Sequence, residues 1–93
     1  MRFIATTTII ATTIIAAPAE AGQCGDRGTI VAELATRFSE ELRFVGRDSA
    51  GNLLEMWVSP SGSFTALLTP PEGLTCIVSA GNAGGILPGG QKT

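Results

Sequence analysis

The chain has 93 residues, two cysteines, no histidine and a formal net charge of −2 at pH 7. The lack of histidine removes the commonest general base, so neither a Ser-His-Asp nor a Cys-His catalytic arrangement can be built. The small acidic excess argues against binding to nucleic acids or to anionic membrane surfaces, because both favour basic proteins. Two cysteines alone are too few ligands for a metal site, and no phosphate loop or dinucleotide fingerprint occurs. We therefore expect a non-enzymatic protein without a metal or other cofactor.

Residues 1–21 have the pattern of a secretory signal peptide. A positive start at Arg2 precedes the uncharged run 3–17, and a small-x-small cleavage site follows. A retained membrane anchor is the alternative, but a spanning helix needs roughly 20 apolar residues, and this run is shorter and interrupted by threonines. We expect cleavage after Ala21, with Ala19 as the other candidate. The protein would then be periplasmic or secreted, with no membrane span after cleavage.

Export places the two cysteines, Cys24 and Cys76, in an oxidising compartment where they can pair. A redox site would more often show Cys-x-x-Cys spacing. In the loop-entropy model a bond between them is worth roughly 4 kcal/mol. That value is comparable to the whole net stability of a domain of this size. The pattern therefore predicts a structural disulfide.

The segment after Cys24 predicts one helix. Asp26 is a good N-cap, since its side chain can accept a hydrogen bond from a free amide in the first turn. From about Arg27 to Ser39, apolar residues fall on one helical face: Val31, Leu34, Ala35 and Phe38. A helix of this length is not stable alone in water, so it needs a partner surface.

Four strands follow the helix, separated by turns that contain glycine or proline. Their predicted bounds are 42–47, 53–59, 63–69 and 74–80. The expected fold class is therefore α+β, with one N-terminal helix packed on a four-stranded antiparallel meander sheet and closed by one disulfide. We expect residues 22–81 to form the single domain and the glycine-rich residues 82–93 to form a flexible tail. The alternative for the tail is a short docking peptide that uses Ile86 and Leu87.

Alternation along the strands predicts two different faces of the sheet. If Ser59 pairs with Ser63, one face is almost wholly apolar, and we predict that the helix covers it. This face includes Cys76. The uncovered face then carries the candidate partner-binding residues Arg43, Val45, Glu55, Trp57, Leu67 and Ile77. On it we expect Glu55 to reach Arg43 or Arg47, and Arg43 to lie over the ring of Trp57.

An apolar patch around Trp57 with a charged rim is typical of a partner or self-association site. The leading hypothesis is a small exported domain that binds a protein or envelope component through this face. An ordinary half-exposed sheet is the structural alternative. The functional alternatives are a purely structural or self-associating envelope protein, including a weak homodimer, and a carboxylate-based hydrolase that uses Glu40, Glu41 or Glu55.

Four short segments, in this order and spacing, resemble a group of short exported proteins of alphaproteobacteria. The segments are 23–27 (QCGDR), 37–40 (RFSE), 51–55 (GNLLE) and 71–76 (PEGLTC). The group has a cysteine near the mature start, an Arg-Tyr-Gly-Glu-like helix end, a Gly-x-Leu-x-Glu strand and a Gly-x-Thr-Cys close. This chain departs from the group in having Phe38-Ser39 at the helix end. It also departs at position 64, where it has phenylalanine and the group has tryptophan. The resemblance covers about residues 23–81 and implies an exported, disulfide-closed domain. The group has no assigned activity, so no catalytic residue is carried over.

Overall fold

The structure, a computed structural model, describes residues 21–87. In this range the chain forms one helix and a five-stranded antiparallel sheet. The elements are β1 (Cys24–Gly25), α1 (Arg27–Arg37), β2 (Glu41–Arg47), β3 (Leu53–Val58), β4 (Phe64–Thr69) and β5 (Thr75–Gly81). The strand order is β1-β5-β4-β3-β2, so β2 to β5 form the predicted meander.

The predicted α+β class is confirmed, but the predicted count of four strands is wrong because β1 adds a fifth at the edge beside β5. The helix is accordingly not the first element of the domain. The predicted leader, apart from Ala21, lies outside the described residues, as does the end of the predicted tail. The cleavage site and the flexibility of the tail therefore stay predictions.

The predicted disulfide is confirmed between Cys24 and Cys76, which are 52 positions apart in sequence. The two residues lie directly opposite each other in the β1–β5 pair, with Cα atoms 4.0 Å apart. The bond therefore joins the segment before the helix to the last strand. A disulfide indicates an oxidising environment rather than the cytoplasm.

Helix α1 begins as the sequence predicts and ends two residues early, at Arg37 instead of Ser39. At its start the Asp26 carboxylate accepts a hydrogen bond of 3.0 Å from the amide of Thr29. At its end Ser39 takes a left-handed backbone conformation, with φ 56°. This reversal brings the amide of Glu40 within 3.0 Å of the Leu34 carbonyl, which closes the helix.

The helix lies on the face of the sheet that was predicted to be open. Leu34 packs against Trp57, Leu67 and Ile77, and these four side chains form the buried core. The prediction that α1 covers the more apolar face, which includes Cys76, is therefore wrong.

The physical reason is the direction of the chain between β1 and β2. These two strands run parallel at opposite edges of the sheet, so α1 is the crossover between them. Ile77 bonds toward β1, donating to the Gln23 carbonyl and accepting from the Gly22 amide, both at 2.7 Å. The side chain of Ile77 packs against the helix. In an L-residue, the direction of the side chain and the direction of the backbone bonds together fix on which side of β5 the strand β1 lies when the sheet is viewed from the helix. The result is a right-handed crossover, as nearly all such connections are. A helix on the other face would need the disfavoured left-handed crossover.

Substitution of Ser39 by glycine is expected to raise the free energy of unfolding by about 1 kcal/mol. The reason is that an L-residue with a side chain is strained in the left-handed region, whereas glycine is not. Chemical denaturation measures the change. The control is Ala35→Gly, inside the helix, which should lower the free energy of unfolding by about 1 kcal/mol. A loss of stability in both variants would contradict the left-handed helix end.

Candidate interaction surface

Four of the six residues predicted to face a partner are buried under α1. The exposed fractions are 1% for Glu55, 8% for Trp57, 0% for Leu67 and 4% for Ile77. Their predicted exposure is therefore wrong, because the right-handed crossover places the helix over them. The remaining two, Arg43 and Val45, are exposed on the edge strand β2.

The carboxylate of Glu55 is held by Arg27, the first residue of α1. Arg27 Nε donates to Glu55 Oε1 at 3.0 Å, and Nη2 donates to Oε2. The Glu55 side chain is 2% exposed and that of Arg27 is 41% exposed. The hydrogen bond to Glu55 raises the pKa of Arg27 above its ordinary value. This ion pair ties the start of the helix to β3.

The other predicted contacts of the arginines on β2 are also replaced. Arg47 Nη1 donates to the Gly51 carbonyl at 2.9 Å instead of pairing with Glu55. Within residues 21–87 the cation–π contact joins Arg37 to the ring of Phe38 at 5.4 Å, rather than Arg43 to Trp57. The sequence signal for the true pair was an arginine just after an N-cap together with a carboxylate in the middle of a sheet.

The surface left uncovered is the sheet face turned away from α1, which we call the open face. Cross-strand pairs define its rows, for example Phe44 beside Met56 and Leu54 beside Leu68. Most of its members have apolar or sulfur-containing side chains: Phe44, Leu54, Met56, Val58, Phe64, Ala66, Leu68, Cys76 and Val78. The same register also places two polar residues on this face, Glu41 opposite Val58 and Ser79 opposite Ala66.

Two of these side chains protrude beside bulges in the edge region of the sheet. Phe44 is 53% exposed and follows the irregularity between Leu42 and Phe44 in β2. Val78 is 48% exposed and lies where β5 shifts its register against β4. The ring of Phe44 lies over Gly46, where a Cβ would come within 3.1 Å of the ring. Glycine at that position therefore lets the aromatic ring lie flat on the sheet.

A groove of about 280 Å³ borders one end of the open face. Its lining combines opposite charges, apolar side chains and glycine backbone, and includes Glu41, Arg43, Val58, Pro60 and Ile86. The wall formed by the segment after β5 is held in place because the Gly84 amide donates to the Gly62 carbonyl at 2.7 Å. Ile86 and Leu87, the predicted alternative docking peptide, are 54% and 62% exposed.

Loss of Arg27 is expected to destabilise the domain far more than loss of a surface arginine. Arg27→Met leaves the Glu55 carboxylate buried without a partner and should cost roughly 2–3 kcal/mol, below the figure for a fully buried pair because Arg27 is partly exposed. Arg37→Met, which breaks the exposed pair with Glu33 and the contact with the Phe38 ring, should cost about 1 kcal/mol or less.

The double variant Arg27→Met/Glu55→Met completes this test by chemical denaturation. It should be more stable than Arg27→Met alone, because the unpaired buried carboxylate is gone. Equal costs for Arg27→Met and Arg37→Met would contradict the buried ion pair.

In residues 21–87 no group of three or more potential ligands from His, Cys, Asp and Glu is placed to hold a metal ion. Over the same range, no helix has the length and apolar character needed to cross a membrane. Comparisons of the chain with protein-family models, with curated proteins and with solved structures find no match.

Proposed function

We propose that this chain is a small exported, non-enzymatic domain that binds a partner protein through the open face. The observation that carries the proposal is a largely apolar sheet surface, with Phe44 53% exposed and its charged residue Glu41 at the start of β2, on a domain whose other face is already covered. Soluble monomers rarely leave contiguous apolar patches larger than a few hundred Å² in water, and larger ones commonly mark interaction sites. Burial of this surface against a partner is favoured by about 25 cal/mol per Å².

The chemistry of the open face selects the kind of partner. Since the centre of the face is apolar and its charged residue Glu41 lies at one end, a matching surface is apolar at its centre, with polar groups at the rim near Glu41 and Arg43. The free edge of β2 is a poorer site for strand addition, because it contains a bulge and those same charges. The small negative net charge of the chain also disfavours an anionic lipid surface.

Export to the periplasm is supported by three features. They are the signal-peptide pattern of residues 1–21, the disulfide between Cys24 and Cys76, and the resemblance to short exported alphaproteobacterial proteins. The leader would be removed, and the disulfide would form on arrival in the oxidising compartment.

The arrangement of carboxylates supports a binding role over a hydrolase. Glu55 is occupied by Arg27. Glu40 is 3% exposed, whereas its neighbour Glu41 is exposed, so the two do not share one open cleft. A pair of carboxylates acting on one bond must flank the same substrate.

Two substitutions on adjacent residues test the docking surface. Phe44 and Val45 are each 53% exposed but point to opposite faces of β2. Phe44→Asp places a charge on the open face and should reduce retention of the partner at least tenfold in affinity capture from periplasmic extract. Val45→Asp is the matched control and should retain the same partner as the unsubstituted protein, because it lies off that face.

Thermal unfolding confirms that both variants are folded before capture. Equal loss of the partner in both variants would contradict the proposal, and so would full retention by Phe44→Asp or retention of no protein by the unsubstituted domain. If the species retained is a second copy of this chain, the self-associating alternative replaces the proposed partner.

A further inference from the structure

We propose that the covered face of the sheet contains a buried hydration site, at which one ordered water molecule is bound by Glu40, Trp57 and Thr65. Within residues 21–87, Glu40 Oε1, Trp57 Nε1 and Thr65 Oγ1 are buried side-chain atoms that have no hydrogen-bond partner. The three residues are 3%, 8% and 1% exposed. Buried polar groups are nearly always hydrogen-bonded, to protein or to ordered water.

The three residues lie together on the covered face by strand register. Thr65 is directly opposite Trp57 in the β3–β4 pair. Glu40 immediately precedes β2, in which Leu42 is opposite Trp57, so Glu40 is the diagonal neighbour of Trp57. Direct and diagonal neighbours have Cβ atoms about 5 and 7 Å apart. Glu40 and Thr65 lie on opposite sides of Trp57, about 10 Å apart or two strand spacings, so a molecule that bridges all three is bound where the long Glu40 side chain extends toward the Trp57 indole.

The backbone around Ser39 explains why a carboxylate is buried at this position. The left-handed turn at Ser39 reverses the chain, and the Glu40 amide bonds back to the Leu34 carbonyl. The backbone of Glu40 is thereby held against the last turn of α1, and the residue is 3% exposed.

Other buried hydroxyl groups have hydrogen-bond partners, so the side-chain atoms without partners are confined to one cluster. Thr75, on the same face, has its Oγ1 2.7 Å from that of Thr69. Ser59 Oγ accepts from the hydroxyl of Ser63 at 2.8 Å. Only the cluster of Glu40, Trp57 and Thr65 is left without partners among the buried side-chain atoms of residues 21–87.

The donor and acceptor types identify the ligand as water. The indole N–H of Trp57 can only donate, an ionised Glu40 carboxylate can only accept, and the Thr65 hydroxyl can do either. A metal cation or an ammonium ion cannot accept from the indole. A fully deprotonated anion cannot donate to the carboxylate, and an anion that carries a proton would place a second negative charge beside a buried carboxylate. Water does both, and three hydrogen bonds are the usual number for a buried water molecule.

Nuclear magnetic resonance can detect this water directly, because the chain has a single tryptophan and hence one indole N–H signal. We expect a cross-peak between this proton and water, with the sign of a long-lived contact, in the ¹⁵N-labelled protein purified from the periplasm. Thr65→Val removes one of the three partners at nearly constant volume and should abolish or strongly weaken the cross-peak. The amide spectrum of each variant reports whether it is folded.

The matched control is Thr75→Val, a buried threonine on the same face whose hydroxyl is already paired with Thr69. It should leave the cross-peak between the indole proton and water unchanged. Absence of the cross-peak from the unsubstituted protein, or its full survival in Thr65→Val, would overturn the proposal.

If Thr65→Val does not fold, a crystal structure of the unsubstituted protein decides the question. Electron density for one water within about 3.2 Å of all three atoms supports the site. A direct bond from Trp57 to Glu40, with no water density, excludes it.

Discussion

The pairing of β1 with β5, locked by the Cys24–Cys76 disulfide, determines which side of the sheet becomes the core. It fixes the chain before α1 at one edge, while β2 occupies the opposite edge. The helix must cross between these parallel strands, and the right-handed crossover allows only one face. The buried core, the open face and the positions of the buried polar groups all follow from that choice.

The domain consequently covers its more polar sheet face and leaves its more apolar face in water. Buried beside the core residues of the covered face are Glu55, Thr65 and Thr75. Such groups need specific partners, since an unpaired buried carboxylate or hydroxyl is costly. The Arg27–Glu55 pair meets this need for the carboxylate and ties the start of the helix to the sheet. Thr75 is paired with Thr69 within the sheet, whereas Thr65 belongs to the proposed hydration site.

Local features of this fold could be predicted from the sequence because they depend on residues close together in the chain. The Asp26 cap, the meander and the pairing of Ser59 with Ser63 are of this kind, and the structure confirms them. The disulfide could also be predicted, because only two cysteines are present. The end of α1 was missed because a serine, rather than the glycine that normally marks such an end, takes the left-handed conformation.

The face that the helix covers could not be predicted, because strand β1 has only two residues and leaves no alternating pattern. If β1 is not recognised, the helix is not seen to connect two parallel strands, and the preference for right-handed crossovers cannot be used. A count of apolar residues then predicts that the helix covers the wrong face of the sheet. The candidate surface around Trp57 was misplaced for the same reason. The proposed surface therefore uses Phe44 and its neighbours, which the same register had assigned to the interior.

Accessibility of the single tryptophan tests the assignment of the two faces most directly. If α1 covers Trp57, the oxidised protein should show the emission of a buried indole, and iodide should quench it several-fold less than free tryptophan amide. A Trp57→Phe/Phe44→Trp variant, which moves the indole to the open face, should be quenched strongly. Strong quenching of the unsubstituted protein together with weak quenching of that variant would contradict this account.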